Sequence, residues 1–293
     1  MMNQVQSYLS RAKEAEQKKQ WSEAAELYKQ VLTLAPDHKI AIEQLAWCYS
    51  CNKQHDLAIE VLEGLTEREP EIAKWPYMLG YQYQEQQRYD KAIEWYDRAL
   101  VLKNDYIVVL YRKGYTHAQL IAAQAKPEKQ AQAIENIGKA LQSFTRCREL
   151  WNALPEGPTK QRDRGNYFKA LYHQAKVLVD YAEHRALRGS YAIDAAVTLL
   201  HEATCLDPGD HNKYYLLGKA YLAQGEFEKA QQALQEADRL DPNKDYVLDK
   251  LAEALLRLNR LQESLDVYLR IPTRLRKDYI LRNMGRLYHL SKE

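Results

Sequence analysis

One stretch of the sequence has the spacing of metal ligands, Cys48-x-x-Cys51 followed by His55. Cysteine and histidine are typical zinc ligands, but a tetrahedral site needs four of them, and the sequence offers no second pair. A redox role is disfavoured as well, because a reactive thiolate is stabilised at the start of a helix and this pair lies at the end of a predicted one. We therefore expect structural cysteines, no metal and no cofactor.

The sequence also lacks the usual signatures of catalysis. His201-Glu202 is not followed by the second histidine that a zinc-peptidase helix carries, and there is no Gly-x-Ser-x-Gly motif and no phosphate-binding glycine loop. The chain has only 11 glycines. These observations predict a protein that is not an enzyme.

Composition limits the class of partner. The net charge at pH 7 is +2, so no strong overall field attracts nucleic acid. No apolar run approaches the roughly 18 residues that span a membrane, and the first residues do not have the pattern of a signal peptide. Four cysteines in a chain of 293 residues fit a reducing compartment. We expect a cytoplasmic protein without a membrane partner.

Small residues have the most informative spacing in this chain. Five pairs of small residues are separated by 12 positions, and adjacent pairs lie 34 residues apart in both halves of the sequence. An internal repeat of this length predicts an array of similar supersecondary units. The pairs are Ala12/Ala24, Ala46/Ala58, Gly80/Ala92, Gly218/Ala230 and Ala252/Ser264.

The copy around Gly80 shows what the unit is. Gly80 and Tyr83 share one face of a predicted helix, and Ala92 and Tyr96 share a face of the next, because residues three and four apart are neighbours on a helix. A polar turn, residues 86–90, separates the two. The pattern predicts a helical hairpin whose helices cross closely at Gly80 and Ala92.

Prolines end the units, since proline cannot continue a helix. They follow the second helix of four copies, at Pro36, Pro70, Pro208 and Pro242. The period, the Leu-Gly-x-x-Tyr of the first helix, the Ala-x-x-x-Tyr/Leu-x-x-Ala of the second and the closing proline resemble the tetratricopeptide repeat (TPR) family. The resemblance implies an all-α fold: a right-handed α-α superhelix, or solenoid, of about seven hairpins plus an incomplete final repeat.

The repeat pattern also suggests how the chain is divided. We expect N-terminal repeats 1–4 in residues 1–152, with an insertion in the fourth near 120–135, because its small residues Gly114 and Ala140 are 26 positions apart. Prolines and glycines predict a loop or hinge at 153–166. Residues 167–293 then hold repeats 5–7 and the first helix of an eighth, with Ala175 as the provisional small residue of the fifth.

The family resemblance implies that ligands lie on the concave wall made by the first helices. The residues three before and one after each small residue face this wall, and they form an aromatic strip with nearby cations. The predicted ligand-binding groove contains Trp47, Lys74, Tyr77, Tyr81, Tyr111, Arg112, Tyr115, Tyr172, Lys176, Tyr215 and Lys219. Some relatives clamp acidic C-terminal tails, but of the corresponding residues here only Lys74 has the expected type, so this use is disfavoured.

These observations lead to a non-enzymatic interaction scaffold that binds a peptide or partner segment in its aromatic groove. An alternative is a self-associating module or a regulatory segment of a longer protein, because the last predicted helix has no second helix to cover it. Its candidate interface is Leu281, Met284, Leu287 and Tyr288, which would make a homo-oligomer. Binding of single-stranded nucleic acid by stacked aromatics is less favoured, since the net charge is nearly neutral.

Overall fold

The computed structural model describes residues 2–123, 130–181, 190–276 and 278–290. These residues form fifteen α-helices and a short 3₁₀ helix, Thr273–Leu275, and no strand occurs among them. The fold therefore belongs to the α-α solenoid class. The helices are α1 Met2–Gln17, α2 Trp21–Leu34, α3 Lys39–Cys51, α4 His55–Arg68, α5 Lys74–Glu85, α6 Tyr89–Leu102, α7 Ile107–Ala123, α8 Gln130–Ala153, α9 Pro158–Asp180, α10 Ser190–Leu206, α11 His211–Gln224, α12 Phe227–Leu240, α13 Asp245–Arg257, α14 Leu261–Arg270 and α15 Asp278–Leu290.

The paired small residues lie where the two helices of each hairpin cross, and all ten are buried. A β-carbon added to Gly80 in α5 would lie 2.6 Å from the ring of Tyr96 in α6. A β-carbon on Gly218 in α11 would lie 2.4 Å from Leu234 in α12. At these two crossings the second helix occupies the space that a side chain would need, so the repeat pattern reflects close helix packing.

The hairpin turns share one backbone conformation. In five of them a residue with positive φ lies two positions before the second helix. The backbone amide of the next residue donates to a carbonyl five positions earlier, at the end of the first helix. In the second hairpin this residue is Lys53 (φ 60°), and the Gln54 amide donates to the Tyr49 carbonyl at 2.9 Å. This six-to-one bond is typical of a left-handed helix C-terminus. The five residues are Lys19, Lys53, Gln87, Gly225 and Asn259.

The chain divides into two compact units, one up to Ser143 and one from Phe144. Helix α8 runs through the boundary. In the first unit, two core clusters enclose large side chains such as Tyr28 and Trp75. In the second unit, the described core includes a cluster around Leu248 and Tyr268 from α13 and α14.

The segment between α8 and α9 differs from our expectation of a loop or hinge over 153–166. Helix α9 begins at Pro158, so that only residues 154–157 lie between the helices. Proline is well accommodated in the first helical turn, where its missing N–H has no helical acceptor, and Pro158 therefore starts a helix here. Within α9, Ala175 is completely buried, as is Ala196 in α10. Part of the predicted insertion, residues 124–129, lies outside the described residues.

The last helix, α15, buries part of the face that we predicted to be an interface. Met284 and Leu287 lie in the core cluster with Leu248 and Tyr268 and are 6% and 1% exposed. Leu281 and Tyr288 remain exposed. Ile280 is buried with Met284 and Leu287 in this cluster, and Leu281 and Tyr288 lie at the side of this buried face.

Candidate functional site

The first unit contains a cavity of about 510 Å³ between the first helices of successive hairpins. Its walls come from α3, α5 and α7, together with Tyr106 just before α7. Five residues of the predicted groove line this cavity, namely Trp47, Lys74, Tyr77, Tyr81 and Arg112, and the other lining residues are Glu43, Gln44, Met78, Gln82 and Tyr106.

The aromatic walls combine exposed and packed rings. Trp47 is 46% exposed. Tyr77 is half-buried, with its ring 5.6 Å from that of Tyr106 and 6.4 Å from that of Tyr96. Burial raises the pKa of the Tyr77 hydroxyl. The cavity therefore has a fixed aromatic side and an open rim at Trp47.

Arg112 supplies a positive charge beside these rings. Its guanidinium carbon lies 4.6 Å from the centre of the Tyr81 ring, and its charge acts against burial on the pKa of Tyr77. Within the described ranges no carboxylate forms an ion pair with Arg112. The stacking aligns the guanidinium through cation–π attraction and leaves its charge uncompensated by an acid.

Lys74 has a different environment from the one we predicted. Its ammonium forms an ion pair with Glu43 in α3, the first helix of the preceding hairpin. The pair neutralises the lysine, so Lys74 contributes less charge to the cavity than the sequence suggests. Gln44, in contrast, makes no hydrogen bond to a described residue, and its amide group can serve a ligand backbone.

Tyr111 and Tyr115 do not line this cavity. Tyr111 is only 6% exposed, and its ring lies 6.3 Å from that of Tyr115. Tyr106 takes part in the wall instead, although it precedes α7 and has no place in the helical pattern by which we located groove residues. Its position next to the start of a first helix is the signal that could have identified it.

In the second unit, the predicted lysines are both paired with one carboxylate. Lys176 lies 2.5 Å and Lys219 2.7 Å from oxygens of Asp180. The two hydrogen bonds and charges outweigh burial and lower the pKa of Asp180. Because both lysines are paired with Asp180, neither of them is an isolated cation.

The predicted tyrosines of the second unit belong to an aromatic cluster. Tyr215 meets Tyr246 edge to face, with ring centres 4.8 Å apart. Burial, strengthened by nearby carboxylates such as Asp180, raises the pKa values of Tyr172 and Tyr215 to about 12. Tyr246 is exposed, and its hydroxyl lies 2.8 Å from the His211 ring. Sequence reasoning missed Tyr246, which lies in the first turn of α13, three residues before Asp249.

The cysteine pair is part of the helix packing. Cys48 is buried, and its thiol donates to Glu16 at 3.7 Å. Burial, with a further effect of Glu16, raises the pKa of the Cys48 thiol to about 12, which opposes thiolate chemistry. Over the part of the chain that the structure describes, no group of three metal-ligating side chains is present. Nor does that part contain a helix with the length and apolar character of a membrane span.

Solved structures with the same fold are similar over most of this chain. A tetratricopeptide repeat protein from Parabacteroides merdae matches with a TM-score of 0.60 at 12% identity, covering 97% of this chain and 98% of that one. YrrB, a TPR protein with an unusual peptide-binding site, matches with a TM-score of 0.55 at 19% identity over 76% of this chain and 97% of its own. MamA from Desulfovibrio magneticus RS-1 matches with a TM-score of 0.53 at 19% identity, covering 73% and 95%.

Sequence similarity leads to the same family. Tetratricopeptide repeat protein 37 of Xenopus laevis is 24% identical over 234 residues, which are 75% of this chain but span only 14% of the relative's length. Family models described as tetratricopeptide repeat match residues 15–76 and 187–249, and one described as TPR repeat matches residues 80–120. Together these matches cover more than half of the sequence, and the chain belongs to the tetratricopeptide repeat family.

Proposed function

We propose that this chain is a non-enzymatic protein–protein interaction scaffold and that its first unit binds a peptide segment of a partner in the cavity lined by Trp47, Tyr77 and Tyr81. The observation that supports it most is the cavity itself, in which aromatic rings surround an arginine without an acidic partner. The walls come from the first helices of three successive hairpins, so an extended segment can contact several first helices at once.

The aromatic residues would contribute most of the affinity. Tryptophan, tyrosine and arginine are enriched among the residues that dominate binding energy at protein interfaces, because they offer large contact areas with few rotatable bonds. Trp47 is exposed at the rim, and Tyr81 is held against Arg112. We therefore assign the apolar anchor of the ligand to the space between Trp47 and Tyr81.

Polar groups would orient the segment. Arg112 can donate to a carbonyl or carboxylate of the ligand while it remains stacked, since a guanidinium has five donors. Gln44 can both donate to and accept from the ligand backbone. Lys74 is assigned a smaller role because it is paired with Glu43. The similarity to YrrB, whose description names a peptide-binding site, motivates a peptide as the ligand class.

The aromatic cluster of the second unit is proposed as a separate contact surface. Tyr172 and Tyr215 are half-buried and Tyr246 is exposed, so each still offers part of its ring. Lys176 and Lys219 would keep Asp180 as their partner and contribute mainly to the shape of this surface. Free thiols at all four cysteines fit a reducing compartment, and the cytoplasm is the location that we propose.

The test is a selection of random short peptides on the immobilised chain, followed by affinity measurements on the selected peptides. We expect Trp47→Ala and Tyr81→Ala each to weaken binding about tenfold, the loss typical of an interface hot spot. Trp95→Ala is the matched control, because Trp95 is a half-buried tryptophan of the same unit that lies outside this cavity. Selected peptides that bind the two cavity variants as tightly as the unchanged chain would refute the assignment.

A further inference from the structure

The first unit has a second groove, which is lined by residues of α4, α5 and α6 and which we call the α4–α6 groove. It encloses about 390 Å³, within the range of roughly 300–1,000 Å³ that is usual for ligand pockets. This groove and the cavity of the proposed function share no described lining residue, so they are separate sites. Its apolar walls are formed by Pro70, Pro76, Trp95, Val101 and Leu102.

Helix α6 departs from the other second helices at two residues of this groove. Helices α2, α4, α6 and α12 all have 14 residues, so their positions can be compared directly. At the thirteenth position α6 has Val101, whereas the other three helices have the polar or charged residues Thr33, Glu67 and Arg239. At the seventh position α6 has Trp95, whereas the other three have the smaller apolar residues Leu27, Val61 and Ala233. The repeat pattern therefore does not account for Trp95 and Val101.

The apolar residues at the end of α6 are open to solvent. Val101 is 85% exposed and Leu102 is 39% exposed. The fold does not require an apolar residue at the position of Val101, because α2, α4 and α12 form with a polar or charged one there. Exposed apolar residues that gather at a groove in this way mark a site of contact with a partner.

The charges of the groove favour an acidic partner. Asp97 is paired with Lys113, at 2.5 Å. Arg98 stacks on Trp95, with its guanidinium carbon 4.3 Å from the centre of the ring, and forms no ion pair with a residue that the structure describes. The stacking orients the guanidinium at the groove and leaves its charge uncompensated by an acid. A carboxylate on the partner would complement this charge.

We propose that the α4–α6 groove binds a short segment of a partner protein that carries apolar side chains next to a carboxylate. The apolar side chains occupy the space beside Trp95 and Val101, and the carboxylate accepts hydrogen bonds from Arg98, whose guanidinium has five donors. The groove does not depend on peptide binding in the cavity lined by Trp47 and Tyr81. The first unit would thus have two binding surfaces, one on its first helices and one that includes its second helices.

The test selects short random peptides, each with one fixed glutamate, on the full chain carrying Trp47→Ala and Tyr81→Ala. These two changes remove the aromatic anchors of the cavity, so a failure here is distinct from a failure of the proposed function. Peptides that also bind the Val101→Glu variant are discarded. Fluorescence anisotropy then measures the affinity of the remaining peptides for the unchanged chain, and we expect Kd values between about 1 μM and 1 mM.

Val101→Glu should weaken binding of these peptides at least tenfold, because it replaces an apolar contact by a charge that repels their carboxylate. Glutamate is compatible with the fold at this position, since Glu67 holds it in α4. Thr33→Glu is the matched control, because it adds the same charge at the equivalent position of α2, outside the groove. Circular dichroism and the unfolding temperature would verify that both variants fold.

Arg98→Gln tests the acidic character of the partner. It should weaken binding of the selected peptides several-fold, because the carboxylate loses its charged donor. Peptides in which the fixed glutamate is replaced by glutamine should bind the unchanged chain several-fold more weakly, and Arg98→Gln should not weaken them further. Equal binding of the glutamate and glutamine peptides by the unchanged chain would reject the acidic character.

Other results would overturn the proposal as a whole. A selection that enriches no peptide would do so, and so would an equal loss of affinity in Val101→Glu and Thr33→Glu. Sedimentation of the chain with vesicles of phosphatidylcholine and phosphatidylserine, if Val101→Glu abolished it, would identify a lipid surface as the occupant. A concentration-dependent dimer in light scattering that Val101→Glu dissociates would identify a second copy of the chain.

Discussion

The guanidinium of Arg112 lies over the ring of Tyr81, 4.6 Å from its centre, at one side of the cavity in the first unit. The two residues belong to neighbouring first helices, α5 and α7, so the stacking joins two repeats. It presents an arginine in a defined orientation beside exposed aromatic surface, which is the arrangement that we assign to peptide binding.

Arg112→Lys is expected to weaken the binding of selected peptides about tenfold. Lysine keeps the charge but has neither the planar group that stacks on Tyr81 nor the fork of donors. Competition anisotropy would measure the change. Arg98→Lys is the control, because Arg98 stacks on Trp95 at 4.3 Å outside the cavity. If Arg98→Lys lost as much peptide affinity as Arg112→Lys, the stacking would support the fold and would not contact the ligand.

Gly80→Ala should destabilise the chain by about 1–3 kcal/mol, because its β-carbon would overlap the buried ring of Tyr96. Gly64→Ala should instead stabilise it by about 0.5–1 kcal/mol, since alanine is the better helix former and the site has free space. Urea unfolding would measure both. A neutral Gly80→Ala would mean that α5 and α6 separate at little cost.

Lys53→Gly should stabilise the chain by up to about 1 kcal/mol, because a side chain disfavours the left-handed conformation that Lys53 adopts at φ 60°. Gly225→Ala, at the equivalent turn (φ 80°), should have the opposite effect and a similar size. The unfolding midpoints of the two variants, measured side by side, would have to shift in opposite directions.

Stability should fall as the pH is lowered from 7 to 5. Burial lowers the pKa of His173 from 6.5 to about 4, so the unfolded chain binds a proton in this range that the folded chain does not. The loss attributable to His173 is about 2 kcal/mol between pH 7 and pH 5. His173→Phe keeps a ring beside Phe144 and should make the pH profile flatter. An identical profile in the variant would assign the pH dependence to other groups.

The sequence predicts the crossings well because each depends on residues only 12 positions apart. Ala46 and Ala58, for example, are both completely buried where α3 meets α4. Such contacts follow from helical periodicity and side-chain size alone. The start of α9 at Pro158 escaped prediction, because proline is compatible both with a loop and with the first turn of a helix.

The site was predicted less completely, because its electrostatics depend on neighbours in other repeats. Glu43 pairs with Lys74 across 31 positions, and Asp180 pairs with Lys219 across 39. Periodicity places such residues on a face but does not say which of them meet. Periodicity likewise does not say how deeply each position is buried, and Tyr111 is only 6% exposed.

The crossing at Gly80 also bears on how the protein acquires its structure. The residues that meet there, Gly80 and Tyr96, are close in sequence, so the chain loses little entropy in bringing them together. Folds built from such local contacts form rapidly and can begin at any completed pair of helices. A hairpin of this kind can therefore pack while the ribosome is still adding the next one, before the rest of the chain has been synthesised.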